Sequence, residues 1–184
     1  MQPEGVLLHS SIFDKSVLIY RRFEVDKGEQ MPMNVTQLHG SIMTGMTIPF
    51  HFHFFLPGHA VGNLRSWFQY SLNNSQVITT PLIYNRSAFE PQFIMRADAP
   101  MHFEDTPTRS YDHQVLVNEL CRAGYSFQVL SHVFNVHPGI KMKLTASELL
   151  TVRKAKKLRR SFKKSFNSFL DAKYPETKDL CPRI

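Results

Sequence analysis

SVLIYRRFEV, residues 16–25, is the stretch on which the fold turns. Apolar and β-branched residues crowd it and DKGE follows, so it reads as a strand that ends in a turn. Downstream, NVTQLHGSIMTG (34–45) sets Val35, Leu38, Ile42 and Met46 at helical spacing before Gly45 and Pro49 stop the run. PGHAVGNLRSW (57–67) is turn chemistry closing on the only tryptophan, Trp67. QVITTPLIY (76–84) and PQFIM (91–95) read as strands separated by NRSAFE. Residues 112–123 put Val115, Leu116, Leu120 and Ala123 on one helix face, with Gly124 as its stop. YSFQVL (125–130) and HVFNVH (132–137) follow as two further strands. The last element opens on a capping box, Thr145 with Glu148, and keeps Val152, Ala155, Phe162, Phe166 and Phe169 on one stripe. It reads as a long terminal helix packed on the body.

Strands alternating with helices give an α/β class. The first strong strand arrives with almost nothing before it, and neither GxGxxG nor GxxxxGK[ST] occurs, so no phosphate-binding loop opens the domain. The chain reads as the second half of something larger.

With 184 residues, 42% apolar and 20% charged, the chain fits one globular domain rather than a disordered, collagen-like or coiled-coil protein. A compact chain of this size buries roughly 70% of its unfolded surface and needs no disulfide staples. Cys121 and Cys181 make neither a disulfide framework nor a zinc site by count. Apolar runs such as IPFHFHFFL are too short to span a bilayer. The first residues lack the order of a signal peptide.

The net charge of +7 is unevenly placed. Between Lys141 and Lys164 ten Lys or Arg stand against Glu148 alone, a local +9 that leaves the remainder near −2. Such a stretch can neutralise phosphates, or it can be one solvated helix face. The aromatics lie on the apolar stripe and not among the cations, so nucleic-acid binding is not favoured.

His51 and His53 alternate along an apparent strand, with His59 close by; this is a possible metal pair or a set of backbone-bonded histidines. His137 ends a strand just before Pro138-Gly139, a position for a cleft-facing ligand or for a turn histidine in water. Asp112 heads a helix, where a carboxylate caps backbone N–H groups or serves as a well-held general base. Glu90 precedes Pro91 and so sits in an extended turn that can aim it into a cleft. GxSxG, HExxH, CxxC and EF-hand patterns do not occur, which removes nucleophilic hydrolases and zinc proteases from consideration.

Five phrases in order, VLIYRRFEV, PFHFHFFLPGHAVGNLRSW, FEPQFIMRADAP, NELCRAGYSFQVL and VFNVHPG, together resemble the C-terminal half of the catalytic domain of glycosyltransferase family 49, which includes the LARGE-type xylosyl- and glucuronyltransferases. The resemblance runs from about Val17 to Tyr174 and includes FLDAKYP at the end of the basic helix. It implies a partial GT-A fold, a UDP-sugar donor, a glycan acceptor in O-mannosyl elongation, Mn²⁺ and a Golgi setting. By the same resemblance His137 matches a metal-ligating histidine; in the alternative of a degenerate acceptor- or partner-binding module, Gly58, His59, Trp67, Glu90 and Pro91 still form a sugar-facing surface. Asp112 stands where the family has Asn, which adds a possible base. The family's DxD motif would fall just before residue 1, and no two of this chain's seven Asp lie two apart, so the chain alone is expected to hold nucleotide weakly. Three sequons, at Asn34, Asn73 and Asn85, suit a luminal protein.

The expected division is a lead-in over 1–16, the GT-A half over 17–144, the basic amphipathic helix over 145–174 and a tail over 175–184. An apolar edge or face is expected near Val17 to Tyr20, where the strand at 17–24 is left without some of its usual neighbours. The alternatives to an enzyme are a catalytically inactive glycan- or partner-binding module and a basic nucleic-acid binder.

Overall fold

The computed structural model describes residues 15–184, and the expected lead-in lies almost wholly outside them. A five-stranded mixed sheet, flanked by helices and followed by one long helix, forms the body. Its centre is β1 (Ser16–Val25), as the run of apolar residues requires. β5 (Ser126–Pro138) pairs with β1 in parallel over Ser126–Val129 and again over Phe134–Pro138, and β3 (Thr79–Leu82) adds antiparallel to β5. The other edge of β1 is shared by two short antiparallel strands, β2 (Thr47–Pro49) near Val25 and β4 (Gln92–Ile94) near Leu18.

The expected exposed patch at Val17 to Tyr20 does not exist. Val17 and Ile19 are 0% exposed, Leu18 and Tyr20 are half-buried, and β4 occupies the edge that was expected to stand open. A strand paired on both sides offers no template for aggregation.

Four helices precede the terminal one, and two were hidden in the sequence. α1 (Val35–Met43) begins at Asn34, whose side chain accepts from the Gln37 N–H. α2 (Phe52–His59) replaces the strand expected around His51 and His53. α3 (Leu64–Asn73) continues the stretch read only as turn, capped by the Asn63 side chain. α4 (Gln114–Arg122) starts two residues after Asp112 with His113 as its N-cap, so Asp112 does not cap it. The main core gathers Val17, Ile19 and Phe23 of β1 with Leu38, Trp67, Phe68, Leu120, Phe127 and Val129.

The two strands expected at 125–130 and 132–137 are one strand with a bulge. Between Ile19 and Arg21 an advance of two residues on β1 matches five on β5, and His132 takes a positive φ of 61°. The bulge is held by the Ser131 N–H to the Ile78 carbonyl and by the His132 N–H to Ser71 Oγ.

α5 (Ala146–Lys173) carries the predicted capping box in full. Phe162, Phe166 and Leu170 dock with Val115 and Ile184 into a second core, flanked by Phe103, Tyr111 and Phe169. Arg122 reaches the carbonyls of Leu170 and Tyr174 at the helix C-terminus and pairs with Asp171 at 3.0 Å. Cys121 and Cys181 form a disulfide across 60 residues, so the two cysteines that supply no framework do supply one bridge, tying the tail to α4. No helix among the described residues is long and apolar enough to cross a membrane.

Candidate active site

A cleft of about 470 Å³ opens beside the β2–α2 corner, with Glu90, Asp112, His51, His59, Arg22 and Arg109 on its walls. These groups come from β1, α2 and three loops, so the fold brings them together and no linear motif does. α2 is the device that shapes the near wall. His51 opens it with a left-handed φ of 54°, Phe55 breaks its helical path, and Pro57 removes one helical N–H. Residues two apart on a helix point in different directions, so His53 is left exposed and does not pair with His51. The kink instead folds His59 back onto His51, with Nδ1 of His51 3.1 Å from Nε2 of His59.

Gly58 has a steric reason to be glycine. A Cβ there would lie 2.3 Å from the Phe55 ring, and the Gly58 carbonyl accepts the Glu90 N–H at 2.7 Å. The Glu90 carbonyl in turn lies 3.2 Å from His59 Nδ1. A carbonyl only accepts, so His59 carries its proton on Nδ1 and leaves the Nε2 lone pair for the His51 N–H. Burial is the main reason that both imidazoles titrate at about 4 rather than near their usual value.

Glu90 is the titratable centre of the cleft. Its Oε1 accepts from the Gln114 amide and its Oε2 lies 3.5 Å from His59 Nε2. Burial, reinforced by the nearby Asp112 carboxylate, raises its pKa to about 7. Asp112 accepts the Arg109 N–H at 3.0 Å, closing a turn in which Arg109 and Tyr111 both have positive φ. It therefore serves a loop rather than a helix end. Arg109 also pairs with Glu148 of the capping box at 2.7 Å, joined there by Lys141 at 2.8 Å, so the start of α5 is tied to the cleft rim.

The remaining expected residues divide. Pro91 is buried directly behind Glu90 and fixes the turn that presents it. His137 is exposed at the end of β5, in register with Glu24 and with its ring 6.0 Å from that of Phe50, beside the cleft rather than within it. Trp67 is 7% exposed in the core and donates its indole N–H to the Leu130 carbonyl, so it does not face the cleft. Arg22, Glu24, Arg109 and Gln114 were not singled out by the sequence. Arg22 and Glu24 gave a signal all the same, as two charges two apart in an otherwise apolar central strand. Arg22 lies 3.9 Å over the Phe50 ring, and Glu24 is 1% exposed, 3.7 Å from His51 and accepting the Lys141 N–H.

Among the described residues no group of three or more His, Cys, Asp or Glu is placed to hold a metal ion, and His137 offers a single nitrogen. These residues by themselves do not fit the divalent-ion centre that the resemblance implies.

A five-stranded mixed sheet flanked by helices, with a long terminal helix, has the architecture of a GT-A-like fold. The sequence model of glycosyltransferase family 49, described as "Glycosyl-transferase for dystroglycan", matches residues 6–175, and the chain belongs to this family. It is 27% identical over 178 residues to beta-1,4-glucuronyltransferase 1 of Mus musculus, covering 96% of this chain and 42% of that protein. The same-named proteins of Homo sapiens and Danio rerio are 26% and 27% identical, over 96% and 90% of this chain and 42% and 38% of theirs. The chain spans about two fifths of the length of these curated relatives.

Proposed function

We propose that this chain is the acceptor-side half of a UDP-sugar-dependent glycosyltransferase domain, and that Glu90 is the base that takes the proton of the acceptor hydroxyl. The observation that supports this most directly is Glu90 itself, its carboxyl held by the Gln114 amide and its backbone N–H by the Gly58 carbonyl, with a pKa of about 7. A base poised near neutral pH combines the deprotonated form with useful proton affinity. In the step, the glycan O–H proton passes to a Glu90 oxygen and the acceptor oxygen bonds to the anomeric carbon. The bond from that carbon to the β-phosphate oxygen breaks, and UDP leaves with the electron pair. The neighbouring Asp112 carboxylate adds to the burial effect that raises Glu90's proton affinity. The relatives' name suggests glucuronic acid as the donor sugar, and the same reading includes a glycan acceptor of the O-mannosyl class.

A secretory-pathway setting, with the Golgi as its specific compartment, belongs to the proposal. The Cys121–Cys181 bridge needs an oxidising compartment, and the sequon residues Asn34, Asn73 and Asn85 are all exposed. Asn85 lies outside any helix or strand, whereas Asn73 donates its amide to the Gln69 carbonyl in the last turn of α3.

The test has two parts. Saturation-transfer NMR of this chain with an O-mannosyl glycan acceptor should show contacts that Glu90→Ala abolishes. In a chain extended to the relatives' length, transfer from UDP-glucuronate should lose about 10²- to 10⁴-fold in kcat on Glu90→Gln with little change in acceptor KM. An unchanged kcat would remove Glu90 from the reaction, and no acceptor contact at any accessible concentration would remove the cleft.

A further inference from the structure

A second cavity lies away from Glu90, where the β5 bulge parts from β1. About 300 Å³ of open-mouthed space lies between α3, β3 and the bulge, and its walls include Arg21, Gly62, Ser66, Trp67, Tyr70 and Leu82. The wall surface is mostly apolar, with Asn63, Ser66, Thr80 and Ser131 as neutral polar residues, and it carries a single charged group. Arg21 is 7% exposed, and among the described residues no carboxylate lies within ion-pair distance of it. Its Nη1 and Nη2 donate to the carbonyls of Val61 and Asn63, the second at 3.1 Å, while its Nε is buried without a hydrogen-bond partner. Its guanidinium carbon is 5.4 Å from the centroid of the Trp67 ring.

Neutral carbonyls and an aromatic face orient a guanidinium without cancelling its charge. Burial lowers its pKa to about 10, which still leaves it cationic at neutral pH. A buried charge with no counter-charge is costly, and an anion arriving from outside recovers that cost. Gly62 keeps the approach open: with φ at +48°, a Cβ there would meet only Arg21 Nη2 at 3.9 Å and Leu82 Cδ1 at 4.0 Å. Nη2 therefore faces space large enough for a ligand atom. The N-terminus of α3, beginning at Leu64, adds its partial positive charge to the same corner.

We propose that this cavity binds a small carboxylate carried on a ring, with the carboxylate on Arg21 and the ring against the apolar walls beside Trp67 and Tyr70. A guanidinium matches a carboxylate in shape as well as in charge, and apolar walls favour a ring over a bare inorganic ion. The site is separate from the Glu90 cleft, and neither reading depends on the other.

Trp67 is the only tryptophan and lines this cavity, so the chain's tryptophan fluorescence responds to a ligand bound there. The intact chain is titrated with D-glucuronate and with benzoate, against D-glucose, benzyl alcohol and sodium chloride at matched ionic strength. A saturable change is expected with a carboxylate and not with the neutral analogues or chloride. A response to glucuronate alone assigns a sugar acid, one to benzoate alone an aryl acid, and one to both a site that reads the carboxylate on either ring. Arg21→Met should raise the half-saturating concentration at least tenfold. Because that variant changes a buried group, Ser66→Phe, at an exposed wall position, fills the cavity without touching Arg21 and should have the same effect. No saturable response to either carboxylate, an equal response to the neutral analogues or chloride, or unchanged affinity in Ser66→Phe would overturn the assignment.

Discussion

The backbone N–H of Glu90 donates to the carbonyl of Gly58 at 2.7 Å, and this one bond couples a steric gap in α2 to the position of the cleft's carboxyl. The gap is real, since any side chain at 58 meets the Phe55 ring at 2.3 Å with the Ala88 carbonyl behind at 3.3 Å. Phe55 already occupies the irregular turn of α2, so it must swing out for the helix to keep its course. Gly58→Ala is therefore expected to cost roughly 1–3 kcal/mol, the range for overpacking a filled site. Chemical denaturation measures the loss, and weakened acceptor contacts by NMR should accompany it because Glu90 moves with the helix. A variant as stable as the parent would show that Phe55 relaxes freely.

The pH dependence of stability should carry two opposed contributions from the same cleft. His51 and His59 titrate at about 4 when folded, below the usual imidazole value, so the unfolded chain binds more protons and stability rises with pH between roughly 4 and 6.5. Glu90 titrates at about 7 when folded, above the usual carboxyl value. Its contribution is complete below about pH 4.5 and is lost as pH rises through 7. Charged and titratable neighbours on every side, Asp112, His113, Arg22, Arg109 and Lys141, remain in place in a Glu90→Gln variant. That variant removes only the falling component, so its Tm should climb more steeply than the parent's between pH 4.5 and 6.5. Parallel profiles would mean that Glu90 is not held protonated in this window.

These two tests address what the sequence could and could not disclose. β1 was legible because ten residues of apolar pattern ended in a turn, and α5 because its capping box and its phenylalanine stripe specified one register. α2 was misread for a physical reason. PFHFHFF alternates with a period of two, the pattern of a strand, and only tertiary packing around Gly58 and Pro57 bends it into a kinked helix. α3 did carry a signal, an Asn63 cap with Leu64, Trp67, Phe68 and Ser71 spaced along one face, but the Gly and Pro just before it drew the reading towards turn. The break at Ser131–His132 resembled the end of a strand because a bulge interrupts alternation as a turn does. Glu90 was noticed singly, yet its partners His59, Asp112 and Gln114 lie on other segments, and their meeting is set by chain topology rather than by spacing.

The Cys121–Cys181 bridge closes a loop of 60 residues that contains β5 and all of α5. Restricting the unfolded chain over that length is worth about 4 kcal/mol on the loop-entropy account. The bridged end is also packed, with Cys181 and Ile184 buried and the Ile184 carbonyl accepting from Asn167. Cys121→Ser with Cys181→Ser is expected to lower stability by a few kcal/mol. Unfolding midpoints with and without a thiol reductant should differ for the parent and coincide for the variant. A parent indifferent to reductant would place the tail's hold in its packing alone.

The cationic and aromatic faces of α5 should behave as different kinds of surface. Phe166 is 0% exposed and touches Phe103, Phe162 and Phe169, with ring centroids 5.3, 5.8 and 6.5 Å away. Removing such a ring leaves a cavity, so Phe166→Ala should cost about 3–5 kcal/mol and Phe162→Ala a comparable amount. Lys156 and Arg160 are exposed, and exposed charges change stability by about half a kcal/mol or less when removed. Were this helix a nucleic-acid reader, the cations would dominate a steeply salt-dependent affinity. The aromatics here are spent on the second core, with Lys163 and Arg159 lying over the Tyr111 ring at 5.4 Å rather than between stacked bases. Denaturation of the four single variants gives the stability order, and filter binding to RNA and duplex DNA at physiological salt gives the other half of the comparison. Two destabilised phenylalanine variants, two near-neutral cation variants and no selective nucleic-acid binding are expected. Phenylalanine variants as stable as the parent would show that α5 does not dock, and selective binding lost with Lys156 and Arg160 would make its cationic face a nucleic-acid surface.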